Sequence, residues 1–135
     1  MANTDTKHRN TYQRKKILDT MHQMHGEHPS ADDIYLRLSQ QNLCISRATV
    51  YRNLAFLSQQ GFIQKINIPN SAERYEINPD PHYHAKCQNC NKVYDIHVDK
   101  MIDIKIPQCQ NSEINILEYD IIFRGICNNC SKLQL

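Results

Sequence analysis

The chain has 135 residues, 40% of them hydrophobic, and a formal charge of +2 from 16 basic and 14 acidic side chains. That length holds one compact domain or two small ones, and no apolar run approaches the roughly 20 residues needed to cross a bilayer. The first residues lack the apolar core of a signal peptide, so the chain reads as cytoplasmic, a compartment where cysteines serve metals more often than disulfides.

Charge is unevenly spread. Residues 1–65 carry nine Lys and Arg against five Asp and Glu, and residues 66–135 carry seven against nine. A basic first half points toward a polyanion, although scatter in a small sample gives the same numbers. Residues 2–10 are polar and read as a frayed end. From Thr11 a helix is expected, because Ile17, Leu18, Met21 and Met24 recur at spacings of three and four. Arg14, Lys15 and Lys16 lie at its start. Ser30 is an N-cap for a second helix, with Asp32 and Asp33 in the first turn where helix amides favour negative charge. Ile34 and Leu38 share its inner face, and it ends near Gln40. Asn42 to Ile45 form a short connection in which Cys44, with no Cys or His close in sequence, reads as core.

A third helix runs from Ser46 to just before Gly61, a natural residue to follow a helix C-terminus. Val50, Leu54 and Leu57 face inward; Ala48, Arg52, Ala55 and Gln59 lie opposite, flanked by Thr49 and Tyr51. Arg and Gln pair bidentately with guanine and adenine in the major groove, and an ordinary solvated face explains the same pattern on this helix alone. Residues 62–68 alternate as a strand, 69–72 turn, and 73–77 return. Three helices followed by a two-stranded wing make a winged helix-turn-helix, which favours the double-stranded DNA reading of residues 46–60. Asn78-Pro79-Asp80-Pro81 reads as a hinge. The expected division is a DNA-binding domain over 1–78, a hinge at 79–82 and a second domain over 83–135.

The second half begins with His82-Tyr83-His84-Ala85-Lys86-Cys87-Gln88-Asn89-Cys90, and a second pair, Cys127 and Cys130, follows after 36 intervening residues. Cys-x₂-Cys is the spacing at which one tight turn aims two sulfurs at one ion, and four thiolates hold structural Zn²⁺ tetrahedrally. Two disulfides or four buried thiols are the alternative. Between the knuckles, Lys92 to Val98 reads as a strand. Asp99 to Gln108 reads as a short helix ending by Pro107, although Ile102, Ile104 and Ile106 alternate as in a strand. Glu113 to Cys127 reads as two strands or one long bent one. The fold class is therefore α+β, a winged helix followed by a small α/β dimerisation domain with a four-cysteine zinc site. So small a core gains folding energy directly from zinc, and its surplus of Tyr and Ile suits a dimer interface.

These residues resemble the ferric uptake regulator superfamily of bacterial metal-dependent repressors over nearly the whole chain. The matching motifs are Gln13-Arg14 with Lys16-Ile17-Leu18, then His28-Pro29-Ser30-Ala31-Asp32-Asp33-Ile34-Tyr35. Thr49-Val50-Tyr51-Arg52-Asn53-Leu54, His82-Tyr83-His84 and the paired cysteines complete the set. The resemblance implies a homodimeric repressor, not an enzyme, that binds pseudo-palindromic DNA operators when loaded with Fe²⁺ or a similar cation. It places the structural zinc on Cys87, Cys90, Cys127 and Cys130, and the regulatory metal on His28, Glu76, His82, His84 and Asp95. Imidazoles with carboxylates suit Fe²⁺ or Mn²⁺, whereas a soft-metal site uses thiolates. Arg14, Lys15 and Lys16 are expected at phosphates or the minor groove and Arg47, Thr49, Tyr51 and Arg52 at bases, with Ser46 also among the DNA-binding residues.

Asp95 stands where peroxide-sensing repressors have aspartate and iron-uptake regulators usually have glutamate; Glu76 leans the other way. The second metal site of iron-uptake regulators has no ligands here, since Pro81, Tyr83 and Tyr119 occupy those positions. The resemblance leans to the peroxide-sensing type, in which bound Fe²⁺ reacts with peroxide and a ligand histidine is oxidised, releasing DNA. An iron-uptake regulator without peroxide chemistry is the alternative. A zinc hydrolase or deaminase is the remote one: a catalytic zinc needs an open position and a general base, and no His-x-Glu…Pro-Cys-x-x-Cys signature is present.

Overall fold

The computed structural model describes residues 4–77, 80–106 and 113–132, with side chains from residue 6 onward. The chain divides into two compact units, Met1–Pro79 and Asp80–Leu135. The first two residues of the expected 78–81 hinge stretch lie outside the described residues.

In the first unit, α1 (Thr4–Gln23), α2 (Ala31–Gln40) and α3 (Arg47–Gln59) precede an antiparallel hairpin of β1 (Gln64–Ile66) and β2 (Arg74–Glu76). This is the winged helix. Its core is built from the positions the helical spacing picks out: Ile17, Ile34, Leu38, Val50 and Leu54 are fully buried, with Met21, Leu57 and Tyr75 beside them. The caps are local chemistry. Ser30 Oγ accepts from the Asp33 N–H at 3.2 Å, and the Ser30 N–H donates to Asp33 Oδ2 at 2.9 Å, closing a capping box. Ser46 caps α3 through the Thr49 N–H. After α3 the chain enters Gly61 at φ +78°; the Phe62 N–H donates to the Leu57 carbonyl and the Gly61 N–H to that of Ser58, a Schellman ending.

Two expectations change here. The first helix begins at Thr4, not Thr11. Once buried Ile17 and Met21 pay for nucleation, each further residue adds a hydrogen bond without needing burial, so the polar segment continues the helix. Cys44 is exposed rather than core. The Ile45 N–H donates to the Leu43 carbonyl at 3.0 Å, and this bend leaves Ile45 buried and Cys44 facing outward.

The second unit is a three-stranded sheet in the order β4 (Val93–Ile96), β3 (Tyr83–Cys87), β5 (Ile122–Gly125), followed by the short α4 (Asn128–Lys132). β4 is antiparallel to β3 and β5 parallel to it. Within 99–106 the expected helix does not form; Pro107 and the rest of 107–112 lie outside the described residues. Of the strands expected over 113–127, only β5 forms among the described residues. Ile102, Ile104 and Ile106 are all exposed, so neither the helical nor the alternating pattern has a core to face. The backbone N–H of Ile102 is instead held by the hydroxyl of Tyr83.

Candidate functional site

Cys87 ends β3, and a tight turn follows. The Cys87 N–H donates to the Lys92 carbonyl and the Asn91 N–H returns to the Cys87 carbonyl, both at 2.9 Å, with Asn91 at φ +62°. Such a left-handed position suits asparagine among non-glycine residues. The parallel register sets Cys87 opposite Gly125, and the Gln88 N–H donates to the Gly125 carbonyl at 2.8 Å. The second knuckle therefore leaves the sheet at the same end as the first. All four thiols, Cys87, Cys90, Cys127 and Cys130, are free, and their sulfurs lie within 4.8 Å of one another. This excludes the disulfide alternative for these two pairs.

The sulfurs of Cys90 and Cys127 are 3.8 Å apart. A tetrahedron with Zn–S bonds of about 2.3 Å has edges of about 3.8 Å. The Cys127 N–H donates to Cys87 Sγ at 3.3 Å; this amide, then that of Cys90, brings the Cys87 thiol down to about 6. Cys127 is lowered by the Cys130 amide and by the phenol of Tyr94. Cys130 goes the other way, to about 12, because it shares its proton with the Cys127 sulfur. Four thiolates cannot crowd together without a cation, and amide donors aimed at sulfur favour the charged form. The donor set fits Zn²⁺, which would be held by all four sulfurs with no position left open. Tyr94, whose own phenol is pushed up to about 12 chiefly by its hydrogen bond to Cys127, supports the set from outside.

A second group lies on β3 and β4. The antiparallel register puts His84 opposite Asp95, and His82 lies just before β3, two residues ahead of His84. His82 Nε2 is 3.0 Å from His84 Nε2 and 3.0 Å from Asp95 Oδ1, which is 3.4 Å from His84 Nε2. His82 Nδ1 meets the Asp80 carbonyl at 2.7 Å. A backbone carbonyl there holds the proton on Nδ1 and leaves the Nε2 lone pair for a metal. Adjacent donors around an octahedral ion with bonds of about 2.1 Å stand about 3.0 Å apart, and two histidines with one carboxylate form the facial set that non-haem Fe²⁺ prefers. The spacing and chemistry both fit.

The first unit carries a pair of the same type. His28 and Glu76 are buried, with Nε2 and Oε2 3.4 Å apart. His28 sits just ahead of α2 at φ +49°. Its carbonyl accepts from Arg74 Nη1 at 3.2 Å, Ser30 forms a β-bridge with Arg74, and the Tyr75 N–H donates to the Pro29 carbonyl. The wing strand thus holds the entry to α2.

The Ferric uptake regulator family model matches residues 5–124. The chain belongs to that family. It is 30% identical over 107 residues to the peroxide operon regulator of Bacillus subtilis, covering 79% of this chain and 74% of the relative. It is 28% identical over 125 residues to a ferric uptake regulation protein of Synechococcus elongatus, covering 90% and 85%. The crystal structure of the Campylobacter jejuni peroxide stress regulator is 32% identical with a TM-score of 0.59, covering 69% of this chain and 67% of that one.

As a member of the ferric uptake regulator family the chain is a metal-dependent transcription regulator and not an enzyme. The residues expected at DNA are spread over two helices. The N-cap Ser46 and, on α3, Arg47, Tyr51 and Arg52 are exposed, whereas Thr49 is buried, its hydroxyl accepting from Ser46 Oγ at 2.8 Å and Arg52 Nη2 at 3.1 Å. On α1, Lys15 is exposed and Lys16 lies over the Tyr12 ring. Arg14 is half-buried. Its guanidinium lies 3.9 Å from the centre of the Phe56 ring, and Nε points to Asn53 Oδ1 at 3.4 Å, so it fastens α1 to α3. Sequence reasoning missed this packing, and it missed Tyr94. The alternation that puts Tyr94 and Ile96 on one face of β4 was legible, but not that this face reaches the second knuckle.

Proposed function

We propose that this chain is a cytoplasmic, homodimeric repressor that binds pseudo-palindromic duplex operators when loaded with Fe²⁺ or Mn²⁺ and releases them in response to peroxide. One observation carries the reading. Each unit has its own set of nitrogen and oxygen donors: His28 and Glu76 in the first, His82, His84 and Asp95 in the second. A single cation shared by both sets would bind one relative arrangement of the units better than others, and only such differential affinity lets a ligand shift a conformational equilibrium. His28 and Glu76 would anchor it to the reading unit through the wing. His82, His84 and Asp95 would orient it from the sheet.

Bound Fe²⁺ supplies redox chemistry toward peroxide that Mn²⁺ does not. With Fe²⁺ held there, His28, His82 and His84 would be the side chains exposed to oxidation by peroxide, and an oxidised imidazole would hold the cation less well. The aspartate at position 95 and the peroxide-responsive relatives favour this over plain iron sensing. Arg47, Tyr51 and Arg52 would face bases, Ser46 and Lys15 phosphates, with Lys16 beside them, while Arg14 and Thr49 would act by bracing α3. Large apolar side chains exposed along the second unit, among them Ile114, Leu117, Tyr119, Phe123 and Ile126, support burial against a second copy.

The test is anaerobic titration of DNA binding with Fe²⁺ and with Mn²⁺, repeated after peroxide, followed by mass spectrometry of the His28, His82 and His84 peptides. Added oxygen on one of these peptides in the iron form alone supports peroxide sensing. Unmodified peptides with reversible iron-dependent binding indicate an iron-uptake regulator instead, and no binding with either metal overturns the gating.

A further inference from the structure

Asp32 lies in the first turn of α2, yet its partners are on α3. Arg47 Nη1 pairs with Asp32 Oδ1, and the Tyr51 hydroxyl donates to the same oxygen at 3.4 Å. The Arg47 guanidinium also lies 4.7 Å over the centre of the Tyr35 ring. Both charged side chains remain about half exposed, at 56% and 52%. An ion pair so wet adds little to stability. Its location gives it another use, because Arg47 and Tyr51 are two of the three exposed α3 residues expected to face bases.

We propose that Asp32 is a specificity-determining residue: by holding Arg47 and Tyr51 it keeps one cationic charge from the phosphate backbone and fixes two side chains in the orientation that reads bases. This rests on the assignment of α3 as the reading helix. Two effects separate the kinds of DNA. Non-specific binding is supplied almost wholly by phosphate neutralisation, so a guanidinium already paired with a carboxylate contributes less to it. Specific binding depends also on ordered side chains, and ordering one that is rich in rotamers on binding costs affinity that pre-ordering saves. Without the carboxylate every duplex gains the freed charge, and only the operator loses the pre-ordering.

The experiment uses the full-length protein loaded with Mn²⁺. The probes are the duplex that wild-type protein selects from a random pool and poly(dI-dC) as non-specific DNA, each titrated over a range of salt. Asp32→Asn is expected to steepen the salt dependence of non-specific binding by about one phosphate contact. It is also expected to lower the ratio of specific to non-specific affinity about threefold to tenfold. Asp99→Asn, with the same change of charge in the other unit, should leave both at wild-type values. In an Arg47→Gln background Asp32→Asn should leave the salt slope unchanged, since there is no guanidinium to free, whereas a purely structural role would act there too. A slope unchanged and a ratio within twofold of wild type in the single variant overturn the proposal. Wild-type protein that selects no sequence overturns the reading-helix assignment beneath it.

Discussion

The carbonyl of Pro29 accepts the backbone N–H of Tyr75 at 2.9 Å, joining the entrance of α2 to the wing. The residue before Pro29 and the residue after Tyr75 are His28 and Glu76. One backbone hydrogen bond thereby sets an imidazole and a carboxylate side by side, both of them buried, and buried polar groups need partners.

Replacing His28 should separate structure from sensing. His28→Asn is the suitable variant, because asparagine tolerates the left-handed backbone at φ +49° that alanine does not. We expect metal-dependent operator binding to lose most of its enhancement, a coupling of about 5–150-fold in allosteric proteins, while zinc content and melting temperature stay near wild type. Fluorescence anisotropy with and without Mn²⁺ and a thermal melt decide it. A collapse of the melt would make His28 a structural residue.

Arg52 is the plainest test of the reading helix. It is exposed on α3, where its guanidinium donates to Thr49 Oγ1 one turn away. Arg52→Ala should weaken operator binding by about 1–3 kcal/mol per half-site and relax discrimination at one base pair. Unchanged affinity in a gel shift would mean another face of the unit meets DNA.

Tyr94 donates to the sulfur of Cys127. Outer partners of metal ligands are commonly worth about 10–100-fold in metal affinity. Tyr94→Phe should therefore lose zinc to a competing chelator at lower chelator concentration, with the free-thiol count rising in parallel and no change in metal-free melting. Equal zinc retention would show the phenol to be a bystander.

The phenol of Tyr75 is raised above its usual value near 10 by burial first and then by the carboxylate of Glu73. Its folded value exceeds its unfolded one, so the protonated phenol stabilises the first unit fully below about pH 10. That contribution falls away as pH rises through the folded value. Alkaline titration followed by phenolate absorbance and circular dichroism should show late ionisation coinciding with unfolding of the helices, and Tyr75→Phe should remove that coincidence.

The helices of the first unit and both cysteine knuckles were legible in the sequence because each follows a local rule. Ile17 and Met21 repeat at helical spacing, Ser30 and Ser46 are side chains that cap, and Cys-x₂-Cys is a single turn. What escaped was decided by neighbours distant in sequence. Arg14 packs on Phe56 and Asn53, about forty residues further along the chain, whereas Thr49, turned inward beside Ser46 and Arg52, lies within one helical turn of its partners. Residues 99–106 carry both periodicities at once, and with their isoleucines exposed no burial chooses between them. The His84–Asp95 pairing depends on strand register, which spacing alone does not give, although the family resemblance pointed to both residues.

The parallel pairing of β3 with β5 has a consequence for how the protein is made. Antiparallel β1 and β2 are neighbours along the chain, so the first unit can close as soon as its own residues leave the ribosome. The second unit cannot do the same, since Cys87 and Cys90 must wait for Cys127 and Cys130 to be synthesised, and pairings between distant segments form slowly. Zinc capture would therefore be a late event in biogenesis, and until then a folded winged helix would be joined to an unfinished second unit.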